Sequence, residues 1–189
     1  MLFSPERYVA ALHLAARRHA GQLVPGSDLP YLVHVTSVAS ETILGIEADR
    51  ALVTDPDLAV VCALLHDTLE DTAHDEGARA ALRAELAERF GRAAADGIGA
   101  LSKDAALPKA ERMADSLRRI RAQPREVWMV KLADRITNLA PPPAHWPAAK
   151  RAAYRAEAAV IADALGDASP ALHARLRARI AAYAAFVDG

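Results

Sequence analysis

The sequence predicts an all-α fold, a bundle of about eight or nine helices. Three observations carry this. Alanine, the strongest helix former, supplies 45 residues, whereas Gly and Pro together supply only 20. Aromatic residues make up 5% of the chain, too few for a β-sandwich or barrel. Helix start and stop signals recur along the chain with short polar connections between them. With 189 residues, 52% of them hydrophobic, there is material for one core and too little for a second full domain, so residues 1–189 read as a single domain.

Each element has a local signature. Ser4-Pro5-Glu6 combines an N-cap, a proline at the first helical position and an early acid, opening a helix that runs to about Gly21. Residues 22–30, with Pro25, Gly26 and Pro30, form a loop, and a second helix follows over 31–44 with Gly45 past its end. Asp55-Pro56 starts a third helix that carries a continuous apolar run to about Thr72, with His66 near its C-terminal end. Asp75-Glu76 starts an amphipathic helix to Phe90, closed by Gly91, and a further helix spans 92–101. Pro108 and Pro124 open helices over 108–122 and 125–139. Pro141-Pro142-Pro143 forms a rigid connector to a helix over 147–165, and Ser169-Pro170 caps the last one.

A formal net charge of −1 and a pI of about 6.7 exclude whole-surface attraction to nucleic acid or to an anionic membrane. Any phosphate binding must be local. The opening MLFSPERYVA lacks the basic end and apolar run of a signal peptide, and the longest apolar run, Leu58 to Leu65, is far short of a membrane span. The expected location is therefore cytoplasmic, with a small molecule rather than a membrane or nucleic acid as partner. Self-association is left open. A single cysteine, Cys62, excludes an internal disulfide and a cysteine-based zinc site, and its apolar neighbours predict a buried thiol.

The chemistry concentrates in ALLHDTLEDT (63–72), where His66 and Asp67 are followed one turn later by Glu70 and Asp71. At helical spacing His66 faces Glu70 and Asp67 faces Asp71, presenting an imidazole and three carboxylates to one side. Three acids so close repel one another unless a cation neutralises them, and a divalent metal does so. The bland alternative is a solvated helix end. With 7 His and 14 Asp, about half an HD pair is expected by chance, and His74-Asp75 serves as the internal control, a pair in a polar linker where Asp75 reads as a helix cap.

Two further segments favour a site. His34, one turn after Tyr31 in PYLVH, and Asp134, in VWMVKLADRITNLA, both sit among apolar neighbours, where a charged aspartate needs a partner. His34 read alone is also compatible with a satisfied core histidine, and Asp134 with a partner in Arg135 or Arg151. Together His34, His66, Asp67 and Asp134 offer two imidazoles and two carboxylates, a set suited to an octahedral Mn, Fe, Co or similar ion with open positions.

The order H…HD…D on an all-α chain resembles the HD superfamily of metal-dependent phosphohydrolases, and the fuller wording resembles its alarmone hydrolases of the RelA/SpoT-homologue type. HAGQ (19–22), PYLVH (30–34), ALLHDTLEDT (63–72), RFG (89–91), LPKAER (107–112), VKLADRITNL (130–139) and KR (150–151) match that family in order. The length is similar to that of the stand-alone small alarmone hydrolases. The resemblance implies an HD-domain bundle and removal of the 3′-pyrophosphate of (p)ppGpp-like nucleotides with a divalent metal, Mn2+ in the first place and Zn2+, Fe2+ or Co2+ as alternatives. It implies His34, His66, Asp67 and Asp134 as metal ligands and Glu70 and Asp71 as the pair that positions and deprotonates the attacking water. Asn138 matches a ribose contact. Lys109, Arg112 and Arg151 fall in segments on the phosphate side, and Lys103 is a further candidate for substrate binding.

The chain also departs from the family. Val35 stands where proline is usual after PYLVH, Thr137 where His or Tyr is common, and Ala114-Asp115 where an Arg-Lys pair is expected. Leu23 and Val24 occupy the positions of an Arg-Lys pair that packs on the base and phosphates. These two predict an apolar wall against the base, unless Arg17, Arg18 or His19 reaches in. The same site acting on an adenosine alarmone or on the 2′-phosphate of NADPH is the nearest alternative. A regulatory HD protein that binds a nucleotide without turnover is the alternative of a different class, and the Glu70-Asp71 pair argues for hydrolysis.

Overall fold

The structure is a computed structural model that describes residues 2–187. Ten α-helices follow in order: α1 (Pro5–Arg18), α2 (Leu32–Ala48), α3 (Pro56–Leu65), α4 (Thr68–Thr72), α5 (Glu76–Phe90), α6 (Arg92–Leu101), α7 (Arg112–Arg121), α8 (Arg125–Asn138), α9 (Ala148–Leu165) and α10 (Pro170–Tyr183). Short 3-10 turns follow α2, α9 and α10. Taking α3 and α4 as the one helix the sequence suggested gives the nine expected elements. The only β-type pairing among the described residues is the isolated bridge between Leu23 and Pro30.

The predicted caps form. The side chains of Ser4, Asp55, Asp75 and Ser169 accept hydrogen bonds from the backbone N–H groups of Arg7, Leu58, Ala78 and Leu172 at the starts of α1, α3, α5 and α10. Asp75 is therefore a helix cap, as its linker position suggested. Gly91 closes α5 at φ +93°, a conformation that favours glycine.

The core centres on α3, whose residues from Leu58 to Leu65 are all buried. A helix apolar on every side must be surrounded, and α1, α2, α6 and α8 pack around it. The helices α2, α3 and α8 also pack on one another, so the site's three carriers are the inner helices of the bundle. Cys62 is buried as expected, and burial pushes its thiol pKa up.

Three boundaries differ from the sequence reading. α2 runs through Gly45 to Ala48; the glycine is a packing residue, since a Cβ there would lie 2.7 Å from Leu172 Cδ1 on α10. α7 begins at Arg112, not Pro108, because residues 103–111 form a loop whose carbonyls at Ala105 and Leu107 accept hydrogen bonds from the Arg112 guanidinium, each at 2.9 Å. The third predicted helix is interrupted at His66-Asp67. Val35 in place of proline supplies an N–H that donates to the Tyr31 carbonyl in the first turn of α2.

A buried carboxylate sets the start of α3 against α8. Glu126 is 2% exposed, and its Oε1 accepts from the backbone N–H groups of Thr54 and Asp55 at 2.7 and 2.9 Å. Glu126→Ala would leave both donors unpaired, and a loss of about 2–3 kcal/mol is expected, read as a lower urea midpoint with an unchanged slope.

Candidate metal centre

The site begins with the interruption after α3. Two side chains find partners at the end of this helix, His66 Nδ1 lying 2.8 Å from the Ala63 carbonyl and Thr68 Oγ1 donating to the Leu65 carbonyl at 2.7 Å, while the Asp71 N–H donates to the Asp67 carbonyl at 2.9 Å in the first turn of α4. These side chains satisfy carbonyls that the broken ladder leaves open. The bond to Ala63 has a chemical consequence. It places the proton of a neutral His66 on Nδ1 and leaves the Nε2 lone pair facing the interior.

Three buried helices converge at that lone pair. His34, from the first turn of α2, has its Nε2 3.3 Å from His66 Nε2, and Asp134 of α8 has Oδ1 3.6 Å from His34 Nε2 and 3.8 Å from His66 Nε2. Asp67 Oδ2 lies 2.9 Å from His66 Nε2 and 3.5 Å from His34 Nε2. Donors about 2.1 Å from one ion lie about 3 Å apart at adjacent octahedral positions, so the separations fit a common divalent ion after a small contraction. His34, His66 and Asp134 are all buried and their donor atoms lie within 4.8 Å of one another; this group can hold a metal, with the more exposed Asp67 beside it.

The electrostatics follow from the burial. Desolvation disfavours a charged His66, but the Asp67 carboxylate, its hydrogen bond and Asp134 outweigh it, raising the pKa to about 9. For Asp134, burial pushes upward, yet the Lys131 ammonium and the two imidazoles bring the pKa down to about 2. Asp67 is held well below the usual carboxylate range, against its own burial, by His66, His34 and the Tyr31 hydroxyl. Tyr31 donates to Asp67 Oδ2 at 2.5 Å and Lys131 donates to Asp134 Oδ2 at 2.9 Å. Asp134 therefore pairs with Lys131, not with Arg135 or Arg151. Sequence reading did not assign Tyr31 or Lys131 a role, although each lies three residues from a candidate ligand, on the same helical face.

The other candidate residues are distributed around this centre. Glu70 and Asp71 lie on α4, and they do not stack below His66 and Asp67 on one continuous helix. Glu70 Oε2 accepts from the Lys103 backbone N–H at 2.9 Å, with Lys103 Nζ 4.0 Å from Oε1. Asp71 Oδ2 accepts from the Gln22 side-chain amide at 2.7 Å. Asn138 donates its amide to Asp134 Oδ1, so it braces a candidate ligand. The Arg112 guanidinium is tied to the loop carbonyls described above, Lys109 is exposed, and Arg151 is half-buried on α9 with its Nε unpaired. On the Lys103 side of Glu70 lies a cleft of about 680 Å3 whose walls include Leu69, Arg79, Arg83 and Lys103 but none of the four candidate ligands. In the loop before α2, Leu23 is half exposed and Val24 packs on the core, while Arg18 pairs with Glu85 at 2.5 Å and His19 is buried. Arg18 and His19 are thus engaged elsewhere.

A sequence profile described as HD domain matches residues 11–166. The chain belongs to the HD domain family. The family implies a divalent metal, in keeping with the donor group of His34, His66 and Asp134. Among curated relatives, a Myxococcus xanthus protein named GTP pyrophosphokinase is 39% identical over 135 residues, covering 66% of this chain and 16% of that protein. The Danio rerio protein named guanosine-3′,5′-bis(diphosphate) 3′-pyrophosphohydrolase MESH1 is 33% identical over 129 residues, covering 68% of this chain and 64% of that one. The chain thus spans under two thirds of the length of each. A solved structure of a metazoan ortholog of SpoT superposes with a TM-score of 0.75 at 24% identity, covering 94% of this chain and 95% of that one, which shows the shared fold. Among the described residues no helix is long and apolar enough to cross a membrane.

The raised pKa of His66 gives the pH dependence of metal binding a sign. An ion held at His66 Nε2 would have to displace the proton that Asp67 and Asp134 favour on the ring. Affinity for Mn2+, measured by calorimetry between pH 6 and 8, is expected to rise with pH by about tenfold per unit, the limit for one proton exchanged. Tyr31→Phe removes the hydrogen bond that orients Asp67 and should weaken Mn2+ binding by about 10- to 100-fold, with the helical content unchanged.

Proposed function

We propose that this chain is a metal-dependent 3′-pyrophosphohydrolase of (p)ppGpp-like alarmone nucleotides, acting as a single cytoplasmic domain. The observation that carries the reading is the convergence of His34, His66 and Asp134 from three inner helices, with Glu70 and Asp71 one short helix beyond. The names of the relatives support it: the Danio rerio and Haemophilus influenzae proteins, each 33% identical, are named as guanosine-3′,5′-bis(diphosphate) 3′-pyrophosphohydrolases.

In this reading His34, His66, Asp67 and Asp134 hold one divalent ion, Mn2+ before Zn2+, Fe2+ or Co2+, since the donor set mixes imidazole with carboxylate. The ion, when bound, supplies Lewis acidity toward a phosphoryl oxygen and toward water. Tyr31 and Lys131 keep Asp67 and Asp134 ionised and in place. Glu70 and Asp71 orient the attacking water and accept its proton at a carboxylate oxygen. Asn138, Lys103, Lys109, Arg112 and Arg151 are the candidates for holding the nucleotide, Asn138 and Arg112 through the groups their present partners leave free. Cations near the scissile bond offset the charge that develops on the leaving phosphate.

The direct test is incubation of the Mn2+-loaded protein with ppGpp, pppGpp, ppApp and NADPH, followed by separation of products. Release of pyrophosphate from ppGpp or pppGpp is expected, and phosphate release from NADPH alone would overturn the alarmone assignment. Glu70→Gln should keep metal and fold while slowing hydrolysis by about 100-fold or more, as its amide is unable to take the proton.

The loop at Leu23 and Val24 gives a second expectation. Neither residue provides a cation for a purine, a contact worth roughly 0.5–2 kcal/mol where present. A high KM for ppGpp, or a preference for ppApp, is therefore expected, and the double change Leu23→Arg, Val24→Lys should lower the KM for ppGpp. A micromolar wild-type KM with strong guanine preference would show that the loop departure is neutral.

A further inference from the structure

We infer that Gln22 positions Asp71 for its role in the proposed hydrolysis and that buried His19 fixes Gln22 in the required orientation. The inference rests on the functional reading above and adds two positioning residues to it. Gln22 Nε2 donates to Asp71 Oδ2 at 2.7 Å, and Gln22 Oε1 lies 2.7 Å from His19 Nδ1. A carboxylate only accepts, so the amide must turn its nitrogen to Asp71 and its oxygen to His19. His19 Nδ1 then has to be the protonated ring nitrogen.

The surroundings agree with that tautomer. His19 is 4% exposed and its Nε2 has no partner. A buried lone pair left unpaired is less costly than a buried N–H left unpaired, so the bare nitrogen belongs at Nε2. The backbone holds both residues as well: Gln22 N–H donates to the His19 carbonyl at 3.0 Å, and Tyr31 N–H donates to the Gln22 carbonyl at 2.9 Å. Gly21, at φ +80°, makes the turn that brings the Gln22 side chain back over α4. The His19 ring also lies against Tyr31, with centroids 4.9 Å apart, and Tyr31 donates to Asp67. One short segment after α1 thereby braces an acid of the water-activating pair and, through Tyr31, a candidate metal ligand.

The alternative is a tether that only holds the 19–22 turn against α4. The two differ in what the amide orientation does. Asparagine reproduces the donor at the Nδ1 position of histidine, whereas leucine fills space without donating. In the Mn2+-loaded protein Gln22→Leu and His19→Leu should each lower kcat by about 10- to 100-fold, with KM and metal content within about twofold of wild type. His19→Asn should stay within about threefold in kcat. If His19→Asn and His19→Leu fall equally, or if Gln22→Leu keeps wild-type kcat, the positioning role is wrong.

A second readout needs no turnover. The imidazole 15N spectrum of the wild type loaded with diamagnetic Zn2+ should show His19 protonated at Nδ1 and bare at Nε2, and Gln22→Leu should release that preference. An Nε2-protonated His19 would overturn the proposal. Should the wild type hydrolyse none of the nucleotides, the functional reading fails on its own, and the spectrum still decides whether His19 holds the Gln22 amide with its nitrogen toward Asp71.

Discussion

The structure depends on gathering ionisable groups among three helices that are otherwise apolar inside the bundle. His34, His66, Lys131 and Asp134 are each less than a tenth exposed, at the junction of α2, α3 and α8. Isolated charges at such depth would be severely penalised, so each has to meet an opposite one. Lys131 meets Asp134, and His66 meets Asp67. Replacing one of them by an apolar residue would strand its partner's charge, whereas an apolar set throughout would spare the desolvation cost, so stability alone does not account for the arrangement.

The interruption between α3 and α4 is the local event that makes this gathering possible. Had the helix continued, the Ala63 carbonyl would accept from the Asp67 N–H, and the His66 ring would lack the bond that fixes which nitrogen faces His34 and Asp134. Thr68 contributes by taking the Leu65 carbonyl. The turn also moves Glu70 and Asp71 onto a separate short helix, where they find partners in opposite directions, Lys103 after α6 and Gln22 after α1. Two acids adjacent in sequence are thereby held by elements far apart in the chain.

Much of this was legible in the residues. Caps at Ser4, Asp55, Asp75 and Ser169 act through local hydrogen bonds, and such signals need no knowledge of the fold. The boundaries that shifted did so through long-range contacts: Gly45 remains helical because α10 approaches it, which the sequence near Gly45 does not announce. The candidate ligands stood out because polar residues at apolar helix positions are conspicuous, and the structure brings His34, His66 and Asp134 together from three helices. The cations were harder to place. Arg112 looked free for a phosphate and is occupied by the backbone of its own preceding loop, a partner that periodicity does not reveal. Gln22 and His19 were visible only as part of a motif, since a neutral amide in a loop gives no sign of which carboxylate it meets.

The charge balance of the centre bears on the proposed metal and substrate. With His66 protonated, two positive groups, His66 and Lys131, face two negative ones, Asp67 and Asp134, and the four are neutral as a set. Exchange of that single proton for a divalent ion adds one positive charge to the same volume. In a weakly polarisable interior that charge is poorly screened, so under the proposed function a polyphosphate would be drawn to the loaded centre more than to the protonated one. Under the same proposal Glu70 and Asp71 would oppose this attraction, since a phosphate would approach both. Their hydrogen bonds to the Lys103 N–H and to the Gln22 amide would reduce that repulsion. The hydrogen-bond partners of the two acids would thus also make an anionic substrate tolerable beside them.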